Sequence, residues 1–184
     1  MPNRLERFVE HIGNVFLQEP EMFHFEPASN DSLECTVFVY RDIPEPGYLT
    51  AITYGLSLYP NKEWVNSRPE LIISVESTDI NWARILGYLV SSYEQQVDFS
   101  YGEIINFGEQ VSTESKMDSF FIFAPSILER KDFMDIDVLE YKIHLTGIYP
   151  IYSSEIETID TIGLEAFMKD KKYDLYSVKR PAIV

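Results

Sequence analysis

Three histidines, one cysteine and thirty aspartates and glutamates are the groups from which this 184-residue chain could build a reactive centre. Their spacing supports little chemistry. His11, His24 and His144 lie far apart, and no H-x-x-x-H or H-E-x-x-H spacing puts two imidazoles on one helix face. Cys35 has no second thiol, so a zinc-type site is not indicated and no metal is expected. Asp132, Asp135 and Asp137 are close together, but a calcium loop also needs a glycine at its turn and a closing glutamate, and both are missing. They read as a solvated loop. Cys35 occupies an alternating strand position, where a thiol is a small core residue rather than a nucleophile. His144 lies in a strand pattern too and reads as structural. No G-x-S-x-G elbow, P-loop or G-x-G-x-x-G is present, and the eight glycines are spread singly. Neither an activated serine nor a phosphate cradle is available, and no cofactor is expected.

The elements that would position these residues can be read from periodicity. Leu5, Phe8, Val9, Ile12, Val15 and Phe16 recur at helical spacing after a capping residue, Asn3, and Pro20 ends the pattern. Glu19 to Asp31 reads as an acidic connection. Leu33, Cys35, Val37 and Val39 alternate with Glu34, Thr36, Phe38 and Tyr40, a strand whose second face is also apolar and so must be covered. After a turn at Pro44–Gly47, strands are expected over Leu49–Leu58, with Gly55 as a bulge or close-approach point, and over Glu70–Val75. Ser57, at a strand end, reads as structural. Thr78 or Asp79 can cap a second helix, in which Trp82, Ile85, Leu86, Leu89, Val90 and Tyr93 form one stripe. Short strands follow at Glu103–Phe107 and Phe120–Ala124, then a charged loop, Leu128–Asp137, and a strand from Tyr141 to Tyr149 that turns at Pro150. Ser153 or Ser154 can cap a helix to about Ile162, with Gly163 as a break before a short helix to about Lys171. The tail from Tyr173 to Val184 is expected to add an edge strand. Helix, strands, helix, strands, helix is not a regular β–α alternation. It predicts an α+β fold, a mixed and mostly antiparallel sheet packed with helices, in one domain spanning 1–184.

Composition narrows the function. Hydrophobic residues make up 45% and charged residues 24%, as in ordinary globular chains. The net charge is −15. Such a surface repels phosphate backbones and anionic membranes, so neither nucleic acid nor membrane is an expected partner. A lone cysteine and the lack of an apolar leader or membrane-length stretch predict a cytoplasmic protein. The acidity comes in blocks: six acids and no base between Arg7 and Arg41, five between Arg84 and Lys116, four between Lys142 and Lys169. The last includes Glu155, Glu157 and Asp160, which together with acids from the Glu94–Glu114 stretch form the expected docking patch for a basic protein partner; the alternative is that the blocks are separate solvated faces.

Several segments resemble one family. Leu49-Thr50-Ala51-Ile52-Thr53-Tyr54-Gly55-Leu56-Ser57 is similar to a T-x-G-[LM]-S strand, and Arg68-Pro69-Glu70-Leu71 to an R-x-E-L segment. A tryptophan-bearing helix, Trp82 to Tyr93, follows. Phe123-Ala124-Pro125 resembles the strand end before a charged loop, and Gly147 to Glu155 matches a closing P-[IL]-[YH]-x-x-E motif. In this order and spacing they resemble the Suppressor-of-fused domain family over about residues 37–167, in its single-domain bacterial form. The resemblance implies a non-enzymatic binding module, and specifically an immunity protein that neutralises a bacterial toxin. It brings no catalytic residues. A scaffold with an endogenous partner is the alternative. A carboxylate enzyme built around Glu155 is a third reading, disfavoured because nothing pairs a base with a nucleophile.

Overall fold

A computed structural model describes residues 2–93 and 97–183. Helix α1 (Arg4–Phe16) is opened by a capping box: Asn3 Oδ1 accepts the Glu6 N–H at 2.9 Å, and the Glu6 carboxylate accepts the Asn3 N–H at 2.7 Å. Phe8, Ile12 and Phe16 are buried, whereas Leu5 and Val9 remain about two-fifths exposed, so the contact stripe is narrower than the sequence pattern.

Strand β1 (Glu21–Phe25) arises where an acidic connection is expected. It is short and polar-flanked, and it forms only by pairing with β2 (Cys35–Arg41). Strand β3 (Leu49–Tyr54) stops short of Leu58: Gly55 takes φ 155°, and Leu56–Leu58 form a single 3-10 turn. β4 (Arg68–Val75) is buried almost throughout, and α2 (Asn81–Ser91) follows it. Of the two candidate caps it is Asp79 whose carboxylate takes the Asn81 N–H, at 3.0 Å. The expected stripe is realised: Trp82, Leu86 and Val90 are fully buried, Ile85 and Tyr93 nearly so, with Leu89 partly buried against the same core.

The second half supplies β5 (Ile104–Asn106), β6 (Ser119–Phe123), a one-turn α3 (Arg130–Phe133), β7 (Ile136–Asp137) and β8 (Lys142–Ile151), then α4 (Ile156–Ile162) and α5 (Leu164–Met168). The charged loop therefore carries a helical turn and a short strand. β8 runs straight through Pro150 instead of turning there. Its pairing with β4 ends at Gly147, so beyond that point one side needs no ladder donor and a residue without an N–H is tolerated. The expected cap at Ser153 or Ser154 is replaced by a 3-10 turn, Ser153–Glu155. Gly163, at φ 85°, does separate α4 from α5.

The strands form one sheet in the order β1-β2-β3-β4-β8-β6-β5, with β7 beside β8. Among the described residues only β4 and β8 run parallel and every other pair is antiparallel, giving the mixed, mostly antiparallel α+β architecture. Val37 and Val39 face α2, whereas Phe38 and Tyr40 face α1, so the second apolar face of β2 is covered as its composition requires. Phe121, Tyr149 and Ile151 pack under α4 and α5. The tail forms no strand among the described residues. Tyr176 accepts the Glu76 N–H at 2.9 Å, Val178 enters the α2-side core, and Ile183 enters the α4–α5 core.

Candidate functional site

Among the described residues, two buried carboxylates each accept four or more hydrogen bonds. Glu70, near the start of β4, is fully buried. One oxygen accepts the Gly55 N–H at 2.8 Å, the Ser57 N–H at 2.9 Å and the Ser57 hydroxyl at 2.7 Å. The other accepts the Thr53 hydroxyl at 2.6 Å and, at 3.3 Å, the Leu56 N–H. The carboxylate thus closes the chain reversal after β3, where the backbone leaves the ladder and would otherwise bury orphan donors. Burial pushes its pKa up, and the hydrogen bonds from Gly55, Thr53 and Ser57 pull against that shift. A side chain at Gly55 would come within 2.6 Å of the Glu34 carbonyl, so the reversal needs glycine there. Ser57 is spent on Glu70, as its structural reading requires.

Glu155 is the second. The predicted docking patch places it on the surface, but the structure buries it completely. Arg180 reaches it from 25 positions further along the chain, Nη1 to Oε1 at 2.5 Å and Nη2 to Oε2 at 2.8 Å. The Ile183 and Tyr152 N–H groups, at 2.8 and 2.9 Å, take the remaining lone pairs. The guanidinium lies 4.9 Å from the Tyr173 ring centre and near Tyr152 and Phe167. Glu155 is therefore withdrawn from any partner surface, and neither it nor Glu70 has an oxygen left for a substrate proton. Glu157 and Asp160 are exposed on α4.

Of the remaining acids of the expected patch, Glu109 is exposed, and several others are bonded within the fold. Glu114 accepts the Ser77 hydroxyl and the Trp82 indole N–H and lies 3.2 Å from Lys179. Burial pushes it up, but these partners overcome that and hold its pKa below the ordinary range. Asp79, bonded by Ser112 and Asn81, is likewise held low against its burial. Asp98 accepts from Asn61 and Glu103 from the Ser100 N–H. Of the acids named for the patch, Glu94 lies outside the described residues.

Other candidate groups are equally committed. Cys35 is buried, and burial together with the Glu70 charge pushes its thiol pKa far up, which suppresses the thiolate. His144, lowered by burial, meets the Ser67 hydroxyl at 2.9 Å; His11 meets the Asp132 carbonyl and His24 the Thr36 hydroxyl. Among the described residues no group of three metal-ligating side chains converges. None of their helices is long and apolar enough to cross a membrane.

Both saturated carboxylates fall within segments that a known family shares. The sequence model of the Suppressor of fused protein family matches residues 29–181. The chain belongs to that family. No curated protein sequence matches it. Solved structures of the family share the fold: a Sufu–Fu complex at 16% identity and TM-score 0.67, covering 98% of this chain and 91% of that one; Drosophila Suppressor of Fused at 16% and 0.70, covering 98% and 51%; and a Suppressor of fused homologue from Neisseria gonorrhoeae at 15% and 0.69, covering 96% and 94%. The resemblance marked Glu70 and Glu155 as motif positions but said nothing of their roles. Arg180 lies outside the motifs, and next to Lys179 in the tail nothing in its spacing singles it out.

Proposed function

We propose that this Suppressor of fused domain is a non-enzymatic protein-binding module, and specifically a cytoplasmic bacterial immunity protein that neutralises a basic toxin. The observation that carries the reading is the fate of the motif carboxylates. Both are buried and bonded to capacity, so the residues that mark the family build the scaffold and leave the surface for recognition. One similar structure is itself a Sufu–Fu complex, which supports a protein as the ligand. The net charge of −15 favours a cationic partner, because complementary fields speed encounter and disfavour nucleic acid. A scaffold with an endogenous partner uses the same chemistry. The carboxylate-enzyme reading loses its proposed centre with Glu155.

The test is retention of a partner on the immobilised chain from the native cell, identified by mass spectrometry, followed by co-expression. A retained protein that is toxic alone and harmless with this chain supports immunity. A retained protein that is not toxic favours the scaffold, and no specific protein in either setting removes the binding reading.

A further inference from the structure

We infer that the outer edge of β1 and the groove beside it along α2 receive an extended, basic segment of a protein partner, added to the sheet as a further strand. The inference rests on the protein-binding reading and names its surface. β1 ends the strand order, and among the described residues no backbone hydrogen bond reaches it from outside. Such an edge offers main-chain donors and acceptors to an incoming strand. Phe23 and Phe25 pair with Val37 and Cys35 and pack on the α2 side. An added strand would therefore point alternate side chains to that side too.

A groove of about 320 Å³ is already open there. It is lined by Arg84, Ile85 and Tyr88 of α2 together with Phe25, Phe107 and Val111. Tyr88 is 54% exposed and meets Phe107 edge-on, ring centres 5.7 Å apart, so an aromatic anchor stands ready without a partner above it. Gly87 lets the Phe25 ring lie directly on the helix; any side chain there would strike it.

Charge selects the occupant. Glu19, Glu26 and Glu109 are exposed around the edge and groove, and among the described residues no cation lies within salt-bridge distance of them. Of the two nearby arginines, Arg41 is paired with Glu21, and Arg84 lines the groove with its guanidinium over the Phe23 ring, so incoming cations are drawn toward Glu19, Glu26 and Glu109. A second copy would bring the same acids against these, so the surface disfavours self-pairing. A strand alternating cationic with apolar or aromatic residues satisfies the edge, the groove and the rim together.

The probe is a short fluorescent peptide alternating lysine with valine and phenylalanine, with a glutamate-for-lysine version as control. Binding is read by anisotropy and located by hydrogen exchange. The expected result is slowed exchange over 21–25, affinity at least about tenfold weaker for Glu26→Lys with Glu109→Lys, and about fivefold weaker for Tyr88→Ala, with thermal midpoints unchanged. Failure of the lysine peptide to bind, equal binding of the glutamate control, protection elsewhere, or indifference to the variants overturns the inference. So does loss of a dimer on Tyr88→Ala, which would make a second copy the occupant. A native partner that binds wild type and these variants alike would remove the groove while leaving the binding reading intact.

Discussion

Replacing Arg180 by methionine keeps most of the side chain's bulk and removes its charge. Glu155 then stays buried with only the Tyr152 and Ile183 N–H groups, having lost two charge-assisted bonds of 2.5 and 2.8 Å. The side chains of Arg180 and Glu155 are 2% and 0% exposed, so water cannot take over. Breaking such a pair from one side costs about 3–5 kcal/mol. Against the roughly 5–15 kcal/mol by which native domains are stable, that is a large fraction. Removing both charges, Glu155→Leu with Arg180→Met, leaves no unpaired ion but takes the acceptor from the Tyr152 and Ile183 N–H groups. The double variant should thus recover part of the loss and not all of it. Urea unfolding followed by the fluorescence of Trp64 and Trp82, with linear extrapolation, gives each stability and the coupling of the cycle. A cost below about 1 kcal/mol for Arg180→Met, the size seen for exposed pairs, would refute the argument.

Glu70→Gln turns one of the two acceptor oxygens into a donor group facing at least two of the five donors, and should cost at least about 3 kcal/mol by the same measurement. Leu86→Ala, in the buried stripe of α2, should cost about 2–5 kcal/mol, and a smaller loss would mean the site collapses around the missing atoms. Glu114 and Asp79 have folded-state pKa values below their unfolded ones. The stability they contribute is therefore complete above the unfolded values and fades as pH falls through the folded ones, and Glu114→Gln with Asp79→Asn should flatten the acid limb of a stability–pH curve. Glu157→Lys with Asp160→Lys should leave urea stability within about 0.5 kcal/mol, because both residues are exposed. If α4 faces a basic partner, the same pair of changes slows association at low salt but not at high salt.

What could be read from the sequence was what local periodicity encodes. The stripe on α2, the N-cap at Asn3 and the two-faced strand β2 each follow from residues within one or two turns or pleats of each other. β1 could not be read this way, because Glu21–Phe25 is a strand only through β2, and its exposed pattern carries no signature of its own. The tail failed for the opposite reason. Its apolar residues suggested a strand, but they serve separate cores, with Arg180 between them. Glu155 looked like an acid favouring a helix start, and only a partner distant in sequence turns it inward. Glu70 was visible as an acid opening the run Leu71–Val75, a position that demands partners, but those partners come from the turn after β3 and are not legible from spacing.

The single parallel seam bears on how the chain comes together during synthesis. β1 to β4, with α1 and α2, are all made before β8, and the four strands can pair as antiparallel neighbours alone. The seam must wait: Arg68 pairs with Ile143, and closing a loop of that length costs entropy before any contact returns it. Until β8 has been made, the nascent half-domain carries β4, with its apolar run from Leu71, as an open edge. A run such as Leu71–Val75 left unpaired is a template for unwanted association. The arrival of β8 is thus the step that covers the β4 edge of an adhesive intermediate, and a ribosome pausing between β4 and β8 would lengthen the interval in which chaperones are needed.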